Sequence, residues 1–316
     1  MSLRVTFLGT SGAVPTTQRA PSGLLVNREG DRLLFDCGEG TQRQMMRYGT
    51  GFGVSDIFVT HLHGDHILGI PGLVQSWSFN GRGDRLTIHC PRGTHHEIRT
   101  LLSVGGHSPS FPVDINPVAA GDVALDAAAY AVIAFETTHR TNALGYVLVE
   151  DDRPGRFDRE KAETELDIPP GPAYGRLHAG ESVELADGRV IDPEQVVGEP
   201  RPGRRVVYTG DTRPVEATVD AAADADLLVH DATFGDDHAD RARQTGHSTG
   251  REAGEIAARA GVRRLALTHI SSRYAGDASR IRREAREAFD GEVILATDGQ
   301  QLEVPYPDGE SATEQG

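Results

Sequence analysis

The most informative stretch of this sequence is Thr60-His61-Leu62-His63-Gly64-Asp65-His66, which directly follows the apolar run Ile57-Phe58-Val59. A short apolar run of this kind is typical of a buried strand. Imidazole and carboxylate groups are preferred ligands of a borderline ion such as zinc, and a turn at a strand end can direct alternate side chains toward two neighbouring ions. The structural alternative is that these histidines face solvent or cap a helix that begins near His66.

Other apolar runs of strand length end in the same way, in residues that can bind a metal. They lead into Asp211, the pair His230-Asp231, His269 and Asp298. Open α/β sheets place their sites just beyond the carboxyl ends of strands, so these side chains could converge on one cleft. Helical stretches over 215–225 and 249–260 alternate with the strands, and the first 35 residues are typical of antiparallel hairpins. The sequence therefore predicts an α/β fold.

The composition limits the class of protein. A length of 316 residues suits one large α/β domain or two small ones. The formal net charge is -15, and Lys161 is the only lysine among 32 basic residues. This suggests a protein kept soluble in a salt-rich cytoplasm, such as that of a halophilic archaeon, although a GC-rich genome alone would also replace Lys with Arg. The charge argues against general nucleic-acid affinity but leaves room for a local basic groove.

Two further features of the sequence exclude other classes. The only cysteines, Cys37 and Cys90, are too sparse for a disulfide framework or a thiolate zinc site, so any metal must be bound by His and carboxylate groups. No apolar run reaches the roughly 18 residues of a membrane helix, and the start of the chain lacks a signal-peptide pattern. We expect a soluble cytoplasmic protein that does not associate with membranes.

One segment, 151–205, departs from the strand and helix pattern. It is charged, rich in Pro and Gly, and poor in apolar runs, with Ile168-Pro-Pro-Gly-Pro172 near its middle. Segments of this length without a strand or helix pattern are usually functional insertions or disordered loops. We favour an inserted arm on a single domain that spans 1–316, and we expect the polar tail, 308–316, to be frayed.

Motifs along nearly the whole chain resemble one known family. The ordered set His61-x-His63-x-Asp65-His66, His139, Gly210-Asp211-Thr212 and Thr268-His269 resembles the metallo-β-lactamase superfamily. Within it, the sequence is most similar to ribonuclease Z, the tRNA 3′-processing endonucleases, in their short form. The further motifs that carry the likeness are Phe7–Pro15, Phe35–Gln42, His230–Thr233, His247–Thr249 and Thr268–Tyr274.

The resemblance implies a metallo-β-lactamase αββα sandwich with two zinc ions per subunit. It assigns one ion to His61, His63 and His139 and the other to Asp65, His66 and His269, with Asp211 between them. Two ions about 3.5–4 Å apart can stabilise both the attacking and the leaving oxygen of an in-line displacement.

Family precedent also implies three catalytic roles. Asp65 would accept a proton from the attacking water, although a role as ligand alone is equally compatible with its position. His247 would assist the leaving O3′ and would be oriented by Asp231. The family motif has Glu at the position of Asp231, so the acid in this chain is one methylene shorter. The sequence does not decide whether its carboxylate contacts His247.

Two regions are implied to contact substrate. The loop Pro15-Thr16-Thr17-Gln18-Arg19-Ala20 keeps the Pro and Arg of the family's substrate loop but lacks its Lys and Asn, so discrimination against CCA-bearing tRNA can differ. The 151–205 segment would be the arm that binds the tRNA elbow, with Gly171 and Pro172 at its tip. The arm's many acidic residues oppose RNA binding unless high salt screens them.

The leading hypothesis is a zinc-dependent endoribonuclease that removes the 3′ trailer of precursor tRNA. It would hydrolyse the phosphodiester after the discriminator nucleotide, leaving a tRNA 3′-hydroxyl and a trailer 5′-phosphate, and family precedent adds a homodimer. A second hypothesis keeps the metal pair but gives it a small phosphodiester, a sulfate ester or a thioester, since the fold hosts many chemistries. A third is an RNA-binding scaffold with a vestigial metal site.

Overall fold

Two seven-stranded sheets form the centre of the structure, a computed structural model that describes residues 2–308. The tail predicted to be frayed, 308–316, lies outside the described residues apart from Asp308. In chain order the strands are β1 Leu3–Gly9, β2 Ser11–Gly12, β3 Gly23–Arg28, β4 Asp31–Phe35, β5 Asp56–Phe58, β6 Leu86–Pro91, β7 Val113–Val118, β8 Val123–Ala127, β9 Tyr130–Glu136, β10 Leu144–Glu150, β11 Val183–Glu184, β12 Val190–Ile191, β13 Arg205–Tyr208, β14 Leu227–Asp231, β15 Arg264–Thr268, β16 Ile270–Ser271, β17 Glu292–Leu295 and β18 Gln301–Glu303.

The strand order places many carboxyl ends on common edges. The first sheet runs β18-β1-β3-β4-β5-β6-β7 and the second β17-β15-β14-β13-β10-β9-β8. Strands β1, β3 and β4 are antiparallel neighbours, as the sequence predicts, whereas β4 to β7 run parallel. Strands β13, β14, β15 and β17 are also parallel. The polar residues that follow these parallel strands therefore meet at one edge of each sheet.

Ten α-helices occur within the part of the chain that the structure describes. They are α1 Thr41–Tyr48, α2 Gly64–Ile67, α3 Ile70–Phe79, α4 His95–Leu102, α5 Arg159–Thr164, α6 Pro172–His178, α7 Glu216–Ala221, α8 Ala239–Thr245, α9 Gly250–Ala260 and α10 Ser279–Ala288. Helix α9 begins at a capping box between Thr249 and Glu252 and ends before Gly261 in the left-handed conformation, which are strong start and stop signals. No helix among residues 2–308 is long and apolar enough to cross a membrane.

The structure has four layers, helices, sheet, sheet and helices, and the apolar core fills the three spaces between them. Alternate side chains of a strand point into different spaces. Val206 and Tyr208 pack between the two sheets, whereas Val207 packs on the outer face against helices α9 and α10. On the far side, α1, α3 and α4 pack against the outer face of the first sheet through residues such as Met45 and Leu73. Such a two-residue period is what a strand buried on both faces requires. The predicted αββα sandwich is confirmed.

The chain divides into two compact units, one formed by Met1–Val149 with Arg204–Gly316 and the other by Glu150–Gly203. The smaller unit, hereafter the 150–203 unit, contains α5, α6 and the two-stranded β11–β12 pair. It has an apolar core of its own, built from Ala162, Ile168, Leu177, Val183, Ile191 and Val196. Its flanking strands are adjacent, because Val149 and Arg205 are partners in the β10–β13 ladder.

Candidate metal centre

Polar residues that follow several of the strands meet in one cleft of about 550 Å³. Two of the expected strand-end residues lie elsewhere, because Asp298 lines a second cavity and the His230 ring is buried against the Asp231 carbonyl. His61, His63, Asp65 and His66 occupy the turn after β5 and the first residues of α2. His139, Asp211 and His269 follow β9, β13 and β15, and His247 precedes α9. The residues that line the cleft are Ala13, His63, Gly64, Asp65, His139, Arg140, Asp211, Thr245, His247 and His269. The cleft thus brings together side chains that are far apart in the sequence.

One group of donor atoms comprises His61, His63, His139 and Asp211. Nε2 of His61 lies 2.9 Å from Nδ1 of His63, and Nε2 of His139 lies 3.3 Å from the same atom. Oδ2 of Asp211 lies 3.5 Å from Nε2 of His61 and 3.9 Å from Nε2 of His139. Tetrahedral zinc with bonds of about 2.0–2.1 Å places its ligand atoms roughly 3.3 Å apart, so these separations suit one ion.

A second group comprises Asp65, His66 and His269. Nε2 of His269 lies 3.4 Å from Nε2 of His66 and 3.3 Å from Oδ2 of Asp65. Oδ1 of Asp211 completes the set, at 3.1 Å from Nε2 of His269 and 3.3 Å from Nε2 of His66. The two oxygens of Asp211 therefore face different groups, which is the arrangement that a bridging carboxylate requires.

Groups behind the histidines fix which ring nitrogen carries the proton. Nδ1 of His139 donates to the Gly246 carbonyl at 2.8 Å, and Nδ1 of His66 donates to Asp36 at 2.7 Å. The Thr60 hydroxyl donates its proton to Asp36, so it accepts from Nδ1 of His61. In each ring Nε2 is then left with a free lone pair directed at the cleft, as metal ligation requires.

The same logic applies to the remaining ring at the second group. The Thr233 hydroxyl donates to Oδ1 of Asp231 at 2.6 Å, so it accepts from Nδ1 of His269 at 2.9 Å. Sequence reasoning assigned no role to Thr233, Asp36 or Thr60. The signal available for Asp36 was its place directly after an apolar run, Leu33-Leu34-Phe35, which is the pattern that identified the other site residues.

Asp36 is fully buried and accepts four hydrogen bonds. Its donors are the backbone and hydroxyl of Thr60, the hydroxyl of Tyr208 and the ring of His66, at 2.7 to 2.9 Å. Four hydrogen bonds from three different residues hold the carboxylate in one orientation. Asp36 therefore fixes both the orientation and the tautomer of His66.

The donor set fits a pair of divalent cations. Oδ1 of Asp211 is buried and has no hydrogen-bond partner among the described residues, although it faces two imidazole nitrogens. A buried carboxylate oxygen without a partner is costly unless a cation neutralises it. Zinc is chemically suited to a set of imidazoles and carboxylates without thiolates.

The electrostatics of the cleft favour positive charge at its centre. Burial alone would raise the pKa of Asp211, but the neighbouring His269, His66 and His61 outweigh it and hold that pKa well below its usual range. Burial and the adjacent His66 lower the pKa of His61, which favours its neutral, ligating form. For His66, the nearby carboxylates of Asp211 and Asp36 outweigh burial and raise the pKa.

His247 and Asp231 form a pair beside the two metal-ligand groups. Nδ1 of His247 donates to Oδ2 of Asp231 at 2.9 Å, so the shorter acid does reach the histidine. Burial opposes the charged form of His247, but the Asp231 and Asp211 carboxylates raise its pKa to about 9. Asp231 is itself fixed by the backbone of Thr212 and of Thr233. The pair is therefore rigid at its buried end.

Backbone strain accompanies the site. Among the described residues, six that are not glycine have a positive φ angle. Three of them, Ala13, Asp36 and His269, lie at the cleft or directly behind it. Gly210, which precedes Asp211, has φ +58°, and a Cβ there would lie 2.7 Å from the Thr60 side chain. Conformations of this cost persist at functional sites where the surrounding structure enforces them.

The predicted substrate-binding residues lie in two places. Pro15 is exposed, whereas the Arg19 guanidinium donates at 2.6 Å to both the Thr10 hydroxyl and the Ala296 carbonyl. Gly171 and Pro172 are exposed at the start of α6 in the 150–203 unit. Their contacts with RNA stay predictions.

Comparison with known proteins identifies the family. Family models described as the anti-Pycsar protein Apyc1 and as the β-lactamase superfamily domain match residues 3–112 and 192–270, respectively. Ribonuclease Z of Halorubrum lacusprofundi is 69% identical over 310 residues, which cover 98% of this chain and 100% of that protein. The chain belongs to the ribonuclease Z family. Ribonuclease Z of Haloferax volcanii is 66% identical, with 98% of each chain covered.

A solved relative supports the same ribonuclease Z assignment. Human tRNase Z, short form, is 28% identical, covers 96% of this chain and 99% of its own, and superimposes with a TM-score of 0.68. The predictions of a hydrolytic nuclease with the metallo-β-lactamase fold are confirmed. The two named sequence relatives come from halophilic archaea, in line with the acidic, lysine-poor composition. The ligand roles, the zinc and the number of ions stay predictions.

Proposed function

We propose that this chain removes the 3′ trailer of precursor tRNA by hydrolysing the phosphodiester after the discriminator nucleotide, with two zinc ions per subunit. The products are a tRNA 3′-hydroxyl and a trailer 5′-phosphate. The observation that carries the proposal is the double donor set around Asp211 beside the His247–Asp231 pair, in a member of the ribonuclease Z family. The enzyme would act in the cytoplasm as a homodimer.

The proposed ligands follow the two groups of donor atoms. His61, His63 and His139 would hold one ion, and Asp65, His66 and His269 the other, with one oxygen of Asp211 on each. When bound, the ions supply Lewis-acid charge that activates water and stabilises negative charge on the phosphate oxygens. Groups behind the cleft already fix the tautomers of four of these imidazoles, those of His61, His66, His139 and His269.

The chain's own residues would move the protons. Oδ2 of Asp65 accepts a hydrogen bond from the Ala13 backbone at 2.9 Å, which fixes the carboxylate at the cleft where it can receive a proton from the attacking water. Nδ1 of His247 is committed to Asp231, so Nε2 is the atom left to deliver a proton to the leaving O3′. Under this proposal Asp65 is the proton acceptor and His247 the proton donor, and both line the same cleft.

The 150–203 unit would bind the tRNA elbow. It folds around its own apolar core, and its exposed Gly171 and Pro172 begin α6. Folded RNA is recognised largely through shape, phosphate and 2′-hydroxyl contacts, so base-reading side chains are not required. Fourteen acidic residues against seven basic ones in this unit imply that cations must screen the contact.

The test is the cut site on a defined precursor. Purified enzyme should release a single trailer fragment with a 5′-phosphate, and sequencing of the tRNA product should end at the discriminator nucleotide with a 3′-hydroxyl. The variant His66→Ala should be inactive while its circular dichroism stays that of wild type. Absence of cleavage across a range of salt and metal conditions would contradict the proposal.

Two measurements separate the alternative functions. Hydrolysis of a sulfate ester or a thioester at rates above those on precursor tRNA would support a different substrate for the same cleft. A metal content near two zinc ions per chain supports catalysis, whereas none after careful purification would favour a scaffold with a vestigial site.

A further inference from the structure

Two arginines on one face of α1 have no acidic partner. Arg43 and Arg47 are exposed and four residues apart, and within residues 2–308 neither forms an ion pair with a carboxylate. Like charges at this spacing repel each other and destabilise a helix. Several other exposed arginines do form ion pairs, for example Arg259 with Glu216, although Arg282 and Arg286 on α10 do not within residues 2–308. Arg47 lies over the Tyr48 ring, 5.5 Å from its centroid. Both guanidinium groups thus remain available to an external anion, and the cavity that they line distinguishes them from other arginines without an ion pair.

Both arginines line a cavity of about 360 Å³ beside α1. The opposite wall is the continuous loop Pro15–Pro21. The titratable groups around it are three arginines, the third being Arg19, against two carboxylates, Glu39 and Asp298. The cavity is therefore net positive in a strongly acidic protein, and it lies at the lower end of the size range of ligand pockets.

The floor of the cavity is fixed by hydrogen bonds. Asp298 accepts from the Thr10 hydroxyl at 2.7 Å, from the Ala20 backbone at 2.7 Å and from the Gln44 amide at 2.8 Å. Arg19 donates to Thr10 and to the Ala296 carbonyl. Because these groups are engaged with one another, Asp298 is not available to neutralise Arg43 or Arg47. The loop wall is correspondingly rigid.

The same loop connects this cavity with the metal centre. Ala13 lines the metal-centre cleft and its backbone donates to Asp65 at 2.9 Å, whereas Pro15, two residues later, lines the arginine cavity. Two residues span at most about 7.6 Å between Cα atoms. The cavity and the metal-centre cleft are therefore neighbouring recesses bordered by one loop.

We propose that Arg43 and Arg47 bind a phosphate of the single-stranded 3′ trailer, beyond the scissile phosphate. The inference rests on the proposed function. The planar, forked guanidinium group matches phosphate geometry, and two of them on one helix face can hold one phosphodiester from two sides. A base-paired helix is too wide for a recess of this volume, whereas successive nucleotides of a single strand can enter it. Contacts of this kind position the strand without reading its sequence.

Trailer length gives a direct test. A trailer of one nucleotide has no phosphate beyond the scissile one, while a trailer of ten nucleotides has nine. We expect the double variant Arg43→Gln with Arg47→Gln to raise KM about tenfold or more on the long-trailer precursor and less than about threefold on the one-nucleotide precursor. Loss of the contact with one phosphate on a single strand should also reduce the slope of log KM against log salt by about 0.7.

The matched control removes the same charge from another helix. Arg282 and Arg286 on α10 are likewise exposed, four residues apart and without an ion pair in the described chain, and they line neither cavity. Arg282→Gln with Arg286→Gln should leave the dependence on trailer length as in wild type. An equal loss in both double variants would identify a general charge effect and overturn the proposal.

The two proposals fail in different ways. If wild-type enzyme cuts no precursor, the proposed function falls and this inference falls with it. If wild type cuts the precursor and the Arg43/Arg47 double variant retains the wild-type KM on both trailer lengths, only this inference is overturned. Circular dichroism and zinc content of the double variant identify a folded enzyme with an intact metal centre.

Discussion

The residues of the metal-centre cleft are fixed from behind by buried carboxylates and hydroxyls, whereas the 150–203 unit depends on six buried apolar side chains. In the cleft, Asp36 and Asp231 each accept several hydrogen bonds. The smaller unit packs around its own apolar cluster, and fourteen acidic residues lie within it. Under the proposed function, catalysis would depend on the positions of single atoms in the cleft, whereas tRNA binding would depend on the packed core of the 150–203 unit.

The largest effect should come from the residue shared by both groups of donor atoms. Asp211→Asn removes the negative charge that faces both groups, so we expect kcat/KM on precursor tRNA to fall by roughly a thousandfold or more. Zinc content per chain should fall in parallel. Asp220→Asn, at an exposed carboxylate on α7, is the matched control and should keep both values. An active Asp211→Asn enzyme with full metal content would contradict the bridging role.

Removal of the 150–203 unit should separate binding from chemistry. Its ends are adjacent in the β10–β13 ladder, so a short Gly/Ser linker can replace residues 151–203. We expect kcat/KM to fall about a hundredfold on precursor tRNA and less than about threefold on a small chromogenic phosphodiester. Equal losses on both substrates would indicate that the deletion damages the cleft and would remove the functional distinction between the two regions.

A smaller effect should follow from the carboxylate behind His66. Asp36→Asn weakens the hydrogen bond that fixes this ring, so zinc affinity should fall about 10- to 100-fold, measured by competition with a chelator. Asp56→Asn is the control, because Asp56 accepts from the buried His89 in the same sheet but lies outside both donor groups. The Asp56→Asn variant should have a lower free energy of unfolding and an unchanged zinc affinity. Equal zinc affinities in the two variants would mean that Asp36 acts only on stability.

The mildest change is expected in the core of the smaller unit. Leu177 is fully buried there, and Leu177→Ala should cost about 2–5 kcal/mol of that unit's stability through lost burial and a cavity. As temperature rises, the rate of precursor cleavage by the variant should fall severalfold relative to wild type, while its rate of small-diester hydrolysis should stay equal to that of wild type. Limited proteolysis should then cut within 150–203 first. Val190→Ala, at an exposed position on β12, is the control; simultaneous loss of both activities in Leu177→Ala would argue against independent units.

The same contrast explains what could be predicted from the sequence. Apolar runs that end in His61, Asp211 and His269 carry two signals at once, a buried strand and a polar terminus, and parallel strands bring such termini together. The support given by Asp36 and Thr60 was harder to infer, because a hydrogen bond between distant residues leaves no pattern in the chain. Arg19 illustrates the limit, since its residue type suggests an anion contact while its donors are directed at Thr10 and Ala296.

The small unit gave weaker signals for a physical reason. Its strands, β11 and β12, have two residues each, which is too short for alternation to be detected. Helix α5 begins at Asp158, whose side chain accepts from the Lys161 backbone, but it spans only six residues. With so few apolar positions per element, composition indicated an insertion without indicating its fold.

Adjacent partners on β10 and β13 have an evolutionary consequence. Because Val149 and Arg205 already face each other across a continuous ladder, a foreign segment spliced between them leaves the hydrogen bonding of the sheet unchanged. If the 150–203 unit binds RNA as proposed, replacing it with a longer, shorter or more basic segment would change the RNA that is bound and leave the sheet that supports the cleft unchanged.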